Sequence, residues 1–235
     1  ENLSGITLHQ LAQPGAPIVW GGAPAIFDMR YGTTPMGAIE TAMLDAAYAQ
    51  VGKALRLPTH AYLGASDAKL VDAQAGLESG VSAMIGALAG INMISGAGML
   101  DFLACQSAEK LVLDAEGIGM AQRMLAGISL RTETLATALF EGIDFKGNFL
   151  KQKLTRQLFP LEQHLPSSVI DRDSIRGWQQ AGSLDAFARA RQRTAELLAA
   201  YRRPEIAPEQ EQELRQQMTA LARQAGMEQL PACTS

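Results

Sequence analysis

Apolar side chains follow two rhythms along the N-terminal half of the chain: short unbroken runs, and longer stretches where they return every three or four positions. Leu3, Ile6, Leu8 and Leu11 stand at helical spacing and stop at Pro14-Gly15. The run from Pro17 to Trp20 reads as a buried strand ended by Gly21-Gly22. From Gly37 to Leu55, Ile39, Met43, Ala47 and Val51 recur every four residues, predicting a helix. Thr59 to Leu63 predicts a second strand, Leu70 to Ala89 a second helix rich in Ala and Gly, and Ile91 to Ile94 a third strand. Ser107 to Leu125 predicts a third helix with Ser107 as its N-cap. Strand, Gly-rich turn and helix, three times over, is the rhythm of a parallel sheet. Beyond Ile128 the expected elements are helices over Thr132–Ile143, Arg172–Gln180, Leu184–Tyr201 and Glu209–Ala225, with a basic and aromatic segment from Lys146 to Phe159.

Two architectures make parallel sheets of this kind. A doubly wound dinucleotide fold needs Gly-x-Gly-x-x-Gly after its first strand, and none is present; Gly96-x-Gly98 comes late and lacks the third glycine. The (β/α)8 barrel is therefore favoured, with roughly three or four of the eight units in residues 1–150 and a helical C-terminal extension packed on it in residues 151–235. The chain opens at Glu1 without an initiator Met, and its first helix has no preceding strand. The expectation is the C-terminal part of a longer α/β protein. Its sheet would have a free edge that other residues or another copy must cover, so a homo-oligomer is also expected.

Composition narrows the function. Hydrophobic residues are 47% and charged residues 19% of the chain, enough for a core. A net charge of -4 disfavours nucleic acid, whose phosphates call for a cationic surface. No apolar run reaches spanning length, because glycines interrupt the most apolar stretch, Val81–Met99. Cys105 and Cys233 show no metal-type spacing and read as reduced thiols of a cytoplasmic protein. His9, His60 and His164 are scattered, so no metal site is expected.

In a parallel barrel, chemistry gathers in the loops after the strands. The first such loop, Gly21 to Gly32, holds Phe27, Asp28, Arg30 and Tyr31. The second runs from Gly64 to Lys69 and holds Asp67, with Asp72 just beyond. The third, Ser95 to Phe102, holds Asp101 and Phe102. Each has a plainer reading: Asp67 and Asp72 as caps of the following helix, Asp28 and Arg30 as a loop-fixing ion pair, Trp20 and Phe102 as core.

A family resemblance runs through these residues in order. Leu11–Gly21 (LAQPGAPIVWG) and Asp28–Gly32 (DMRYG) resemble the trimethylamine methyltransferase family of corrinoid-dependent enzymes. So do Ser66–Gln74 (SDAKLVDAQ), Ala87–Gly90 (ALAG), Leu111–Glu116 (LVLDAE), Gly147–Leu150 (GNFL), and Ile170–Arg172 with Trp178-x-x-Ala-Gly182. The resemblance implies a barrel completed by an N-terminal half, and methyl transfer from a methylated amine to the cobalt of a separate corrinoid protein. Trimethylamine enzymes of the family carry pyrrolysine, while relatives without it include a glycine betaine methyltransferase; every position here is a standard residue. The implied substrate is thus a quaternary amine, with no cofactor bound by the chain itself, and the portion alone is expected to be inactive. Under this reading Asp67 and Asp28 are the catalytic candidates, while Phe27, Tyr31, Arg30, Phe102 and Asp101 are the substrate-binding ones. The rival expectation is a shortened, non-catalytic homologue acting as a binding or assembly module. An open reading frame ending just upstream of Glu1 would favour it.

Overall fold

The computed structural model describes residues 1–130, 137–140, 147–227 and 229–230. They fall into two compact units, Glu1–Glu196 and Leu197–Ser235.

The first unit opens with helix α1 (Asn2–Ala12), strand β1 (Trp20–Gly21) and helix α2 (Ile39–Ala54). Strand β2 (Thr59–Ala61), helix α3 (Ala73–Leu88) and strand β3 (Met93–Ile94) follow. The three strands lie side by side in the order β1-β2-β3, both pairings parallel, with Trp20 opposite Thr59 and His60 opposite Met93. The expected βαβ succession is therefore present, with ladders shorter than the apolar runs suggested. Pro17 and Pro58 flank β1 and β2 and have no N–H for a ladder, although the Pro58 carbonyl still accepts from Trp20.

Side chains alternate across β2. Ala61 and Leu63 are buried against Ala42 and Ala49 of α2 and Ile91, with Ile85 and Ile94 packed alongside, and this is the main core. The intervening His60 and Tyr62 stand on the opposite face, their rings edge to face at 5.0 Å. Gly52 allows α2 to close on the sheet, because a Cβ there would sit 2.6 Å from the Trp20 ring. Trp20 is buried, tilted on Tyr48 at 4.7 Å, and its indole N–H donates to the Tyr48 carbonyl at 2.9 Å. It is core.

After β3 the chain makes an antiparallel hairpin, β4 (Met99–Leu100) with β5 (Cys105–Gln106), where an irregular loop was expected. Helix α4 (Ala108–Leu125) follows, capped by the Ser107 hydroxyl, which accepts from the Lys110 N–H. The helix expected over Thr132–Ile143 lies outside the described residues apart from a 3-10 turn at Thr137–Phe140; Lys146 and Cys233 also lie outside them. Helix α5 (Lys153–Glu162) forms within the basic and aromatic segment. Next come α6 (Ile175–Gln180) and α7 (Ala186–Ala200). Arg189 of α7 donates to the carbonyls of Val169, at 2.8 Å, and Leu184.

The second unit contains α8 (Pro208–Gln224), with Pro208 in its first turn and Glu211 paired to both Arg203 and Arg215. Among the described residues, no helix is long and apolar enough to cross a membrane.

Candidate active site at the carboxyl ends of the strands

Because β1, β2 and β3 are parallel, the segments leaving them emerge on one edge of the sheet. The first, from Gly22 to Ala38, folds back on itself at Asp28–Thr33. There the Asp28 N–H donates to the Thr33 carbonyl at 2.8 Å, and Gly32 donates to the Asp28 carbonyl. The Asp28 carboxylate accepts from Arg30 three times: from its backbone N–H at 2.9 Å, from Nε at 3.0 Å and from Nη2 at 2.7 Å. Hydrogen bonding to this guanidinium pulls the Asp28 carboxyl down to about 2, so it is ionised at neutral pH. Arg30 also stacks on Tyr31, 5.5 Å from the ring centroid. Phe27 and Tyr31 are exposed. Asp28 and Arg30 thus make the ion pair foreseen as the plainer reading, and they do so beside two open aromatic faces.

The second segment is built around Asp67. Asp72, and not Asp67, caps α3, accepting from Gln74 and Ala75. The buried Asp67 carboxylate instead reaches back to the end of the first segment, where Oδ1 accepts from Met36 at 2.8 Å and Oδ2 from Gly37 at 2.9 Å. Burial raises its pKa, opposed by these two N–H donors. A second carboxylate supports it. Glu78 Oε2 accepts from the Ser66 hydroxyl at 2.6 Å and the Asp67 N–H at 2.8 Å, while Oε1 accepts from Gln74 at 2.8 Å. Asp67→Ala is expected to cost about 2 kcal/mol, the worth of hydrogen bonds to a charged group. It should also speed amide exchange at Met36 and Gly37; unchanged exchange there would mean that the carboxylate does not hold the first segment.

The third segment is stitched to the second. Ser66 donates to the Met99 carbonyl and Asp101 to the Ala68 carbonyl, each at 3.1 Å. Gly96 permits this closeness, since a Cβ there would lie 2.4 Å from the Tyr62 carbonyl oxygen. Asp101, Phe102 and Leu103 all adopt left-handed backbone, with φ of 48°, 56° and 70°. That turn sets the Phe102 ring beneath Lys69, whose ammonium lies 3.9 Å from the ring centroid and 3.1 Å from the Asp101 carboxylate. Lys69 also donates to the Asp67 carbonyl at 2.7 Å.

The expected site residues therefore fall into two clusters: Asp28, Arg30 and Tyr31 on the first segment, and Asp67, Asp101 and Phe102 gathered around Lys69. Phe27 is exposed on the first segment without joining either. Reading the residues in sequence missed Lys69 and Glu78, and also the His60–Ser95 pair, hydrogen-bonded at 2.7 Å on the uncovered face of the strands. The alternation in Thr59-His60-Ala61-Tyr62-Leu63 is the signal that would have placed His60 and Tyr62 there. A cleft of about 580 Å³ lies elsewhere, between α3, α4 and the start of α7, and none of the expected site residues lines it.

The chain is similar to known proteins over most of its length. The family described as trimethylamine methyltransferase (MTTB) matches residues 1–227. A trimethylamine methyltransferase of Methanosarcina thermophila is 38% identical over 200 residues, covering 84% of this chain and 41% of the relative. A glycine betaine methyltransferase of Desulfitobacterium hafniense strain Y51 is 33% identical over 229 residues, covering 97% of this chain and 47% of the relative. A trimethylamine methyltransferase from another strain of that species is 34% identical, covering 89% of this chain and 42% of its own. The chain spans less than half the length of these curated relatives. With the family matched from the first residue to beyond α8, the chain belongs to the trimethylamine methyltransferase family.

Proposed function

We propose that the protein containing this chain moves a methyl group from a quaternary amine to the cobalt of a corrinoid carried by a separate cytoplasmic protein. In this reading the chain supplies C-terminal βα units of a (β/α)8 barrel together with a helical extension. Membership of the family is the observation that carries it, and the relatives named for trimethylamine and for glycine betaine bracket the substrate class. Three parallel strands with their outgoing segments on one edge agree with the barrel.

The corrinoid supplies a strongly nucleophilic cobalt(I) that takes the methyl group. A quaternary ammonium already carries a neutral amine leaving group, which departs with the bonding pair, so the protein need provide no acid. Its task is to position and desolvate the substrate. A quaternary ammonium offers no hydrogen-bond donor, so aromatic faces and negative charge must hold it. Phe27 and Tyr31 offer open faces on the first segment, and Phe102 offers one beside Lys69. Asp28, Asp67 and Asp101 supply the field, Asp28 being ionised throughout the neutral range. Arg30 is the partner for a betaine carboxylate: Asp28 holds its Nε and Nη2, and the remaining edge of the guanidinium lies on an exposed turn.

The test uses the full-length gene product with a corrinoid protein and a panel of methylated amines, following methylated corrinoid by its absorbance. Phe27→Ala and Tyr31→Ala should each raise the amine's dissociation constant about fivefold, in keeping with a desolvated cation–π contact of about 2 kcal/mol shared between two rings. Normal binding by both variants would remove the first segment from the cage. Failure of every amine to yield methylated corrinoid would remove the function.

A further inference from the structure

The ammonium of Lys69 sits among three groups that each attract positive charge. It lies 3.9 Å above the centroid of the Phe102 ring, with the Asp101 carboxylate at 3.1 Å and the Asp67 carbonyl oxygen at 2.7 Å. An aromatic face, an anion and a carbonyl dipole converging on one point form a seat for a single positive charge. The seat is built by unusual backbone. Three successive non-glycine residues, Asp101, Phe102 and Leu103, are held left-handed, and the Asp101 N–H is tied to the Ala68 carbonyl at 3.1 Å. The seat is thus built on backbone, whereas its occupant is a side chain 60% exposed, on a four-carbon stem with solvent beside it.

We propose that Phe102, Asp101 and the Asp67 carbonyl form a cation seat for the ammonium head of a methylated amine, and that Lys69 occupies it as an internal competitor. The proposal rests on the methylated-amine reading above. It adds a residue that sets apparent affinity without touching the bound amine. A primary ammonium donates hydrogen bonds to Asp67 and Asp101, which a quaternary one cannot. The incoming ligand must therefore win on cation–π and charge attraction alone, and its apparent dissociation constant is the intrinsic one divided by the fraction of molecules in which Lys69 is out of the seat.

The probe is tetramethylammonium, titrated into the full-length gene product. With Lys69 out of the seat in about a tenth of molecules, Lys69→Gln should lower the dissociation constant about tenfold, and Phe102→Leu should raise it about fivefold. The direct readout is the Lys69 ε-methylene proton resonance. Ring current from Phe102 shifts it upfield in the free protein, and saturation with tetramethylammonium should return it to its solvent-exposed position. An unchanged or weaker affinity for Lys69→Gln, or a Lys69 resonance that tetramethylammonium does not move, overturns the competition. Wild-type affinity in Phe102→Leu overturns the seat, and methyl transfer to corrinoid by that variant would leave the proposed function standing. Conversely, displacement of Lys69 in a protein that methylates no corrinoid would leave the seat standing and overturn the proposed function.

Discussion

Lys110→Met is expected to destabilise the protein by about 3–5 kcal/mol, the usual penalty for stripping one partner from a buried ion pair. Lys110 is 1% exposed. Its ammonium donates to Asp114 Oδ2 at 2.5 Å, to the Ser79 hydroxyl at 2.7 Å and to the Gly64 carbonyl at 3.2 Å. The same Asp114 oxygen accepts from the Gly98 N–H at 2.7 Å. One pair thereby joins α3, α4, the turn after β2 and the turn after β3, which are the elements that carry the second and third strand-end segments. Methionine keeps the length of the side chain and removes its charge, leaving Asp114 buried with a single donor. Urea unfolding of the full-length gene product measures the effect. In the double variant Lys110→Met/Asp114→Leu part of the loss should return, because no charge is then left unpaired. A double variant as unstable as the sum of the two single ones would show that the pair is not coupled.

Asp45→Asn is expected to act in the opposite direction and only above acid pH. Asp45 is 1% exposed on the buried side of α2, and neither carboxylate oxygen meets a hydrogen-bond partner among the described residues. Burial pushes its pKa from 3.8 up to about 7. A carboxyl whose folded pKa lies above its unfolded one costs nothing while protonated in both states, below about pH 4. Stability is then lost as pH rises from there, and the loss is complete above about pH 7. At 1.36 kcal/mol per pKa unit the gap bounds the loss at roughly 4 kcal/mol. Asparagine keeps the shape without the charge, so it should stabilise the protein at pH 8 by up to about that amount and change little at pH 4. Equal effects at both pH values, or destabilisation at pH 8, would show that the ionised carboxylate is well accommodated.

These two residues mark the limit of what a one-dimensional reading reveals. Lys110 and Asp114 stand four apart on a helix, next to Glu109, and such a spacing is the ordinary signature of a solvated surface pair. Only the closure of α4 on α3 takes the ammonium out of water. Asp45 sits among Ala42, Ala46 and Ala47, where one polar residue on an Ala-rich helix reads as the exposed side. Packing of α2 on the sheet places it inward. The β4–β5 hairpin escaped notice for a related reason: its turn is made left-handed at Asp101, Phe102 and Leu103, where no glycine advertises the conformation. Helix α5 escaped because Pro160 lies within it, and proline ordinarily ends a helical reading.

The order and kind of elements from α1 to β3, helix α4 and the family were legible in the sequence. Apolar periodicity separates strand from helix, because a residue's neighbours on a face are set by its own backbone repeat. Ordered motifs carry ancestry whatever their structural roles. The parallel pairing of β1, β2 and β3 followed from the same rhythm. The partners of the candidate site were decided by tertiary structure. Asp67 and Asp72 are near neighbours of one type, yet Asp72 caps α3 while Asp67 crosses to Met36 and Gly37, thirty-one and thirty positions away. Lys69 meets Phe102 across a similar separation. Hydrogen bonds and ring contacts act over a few ångströms of space, so which charge meets which ring is fixed only when the strands bring their outgoing segments to one edge.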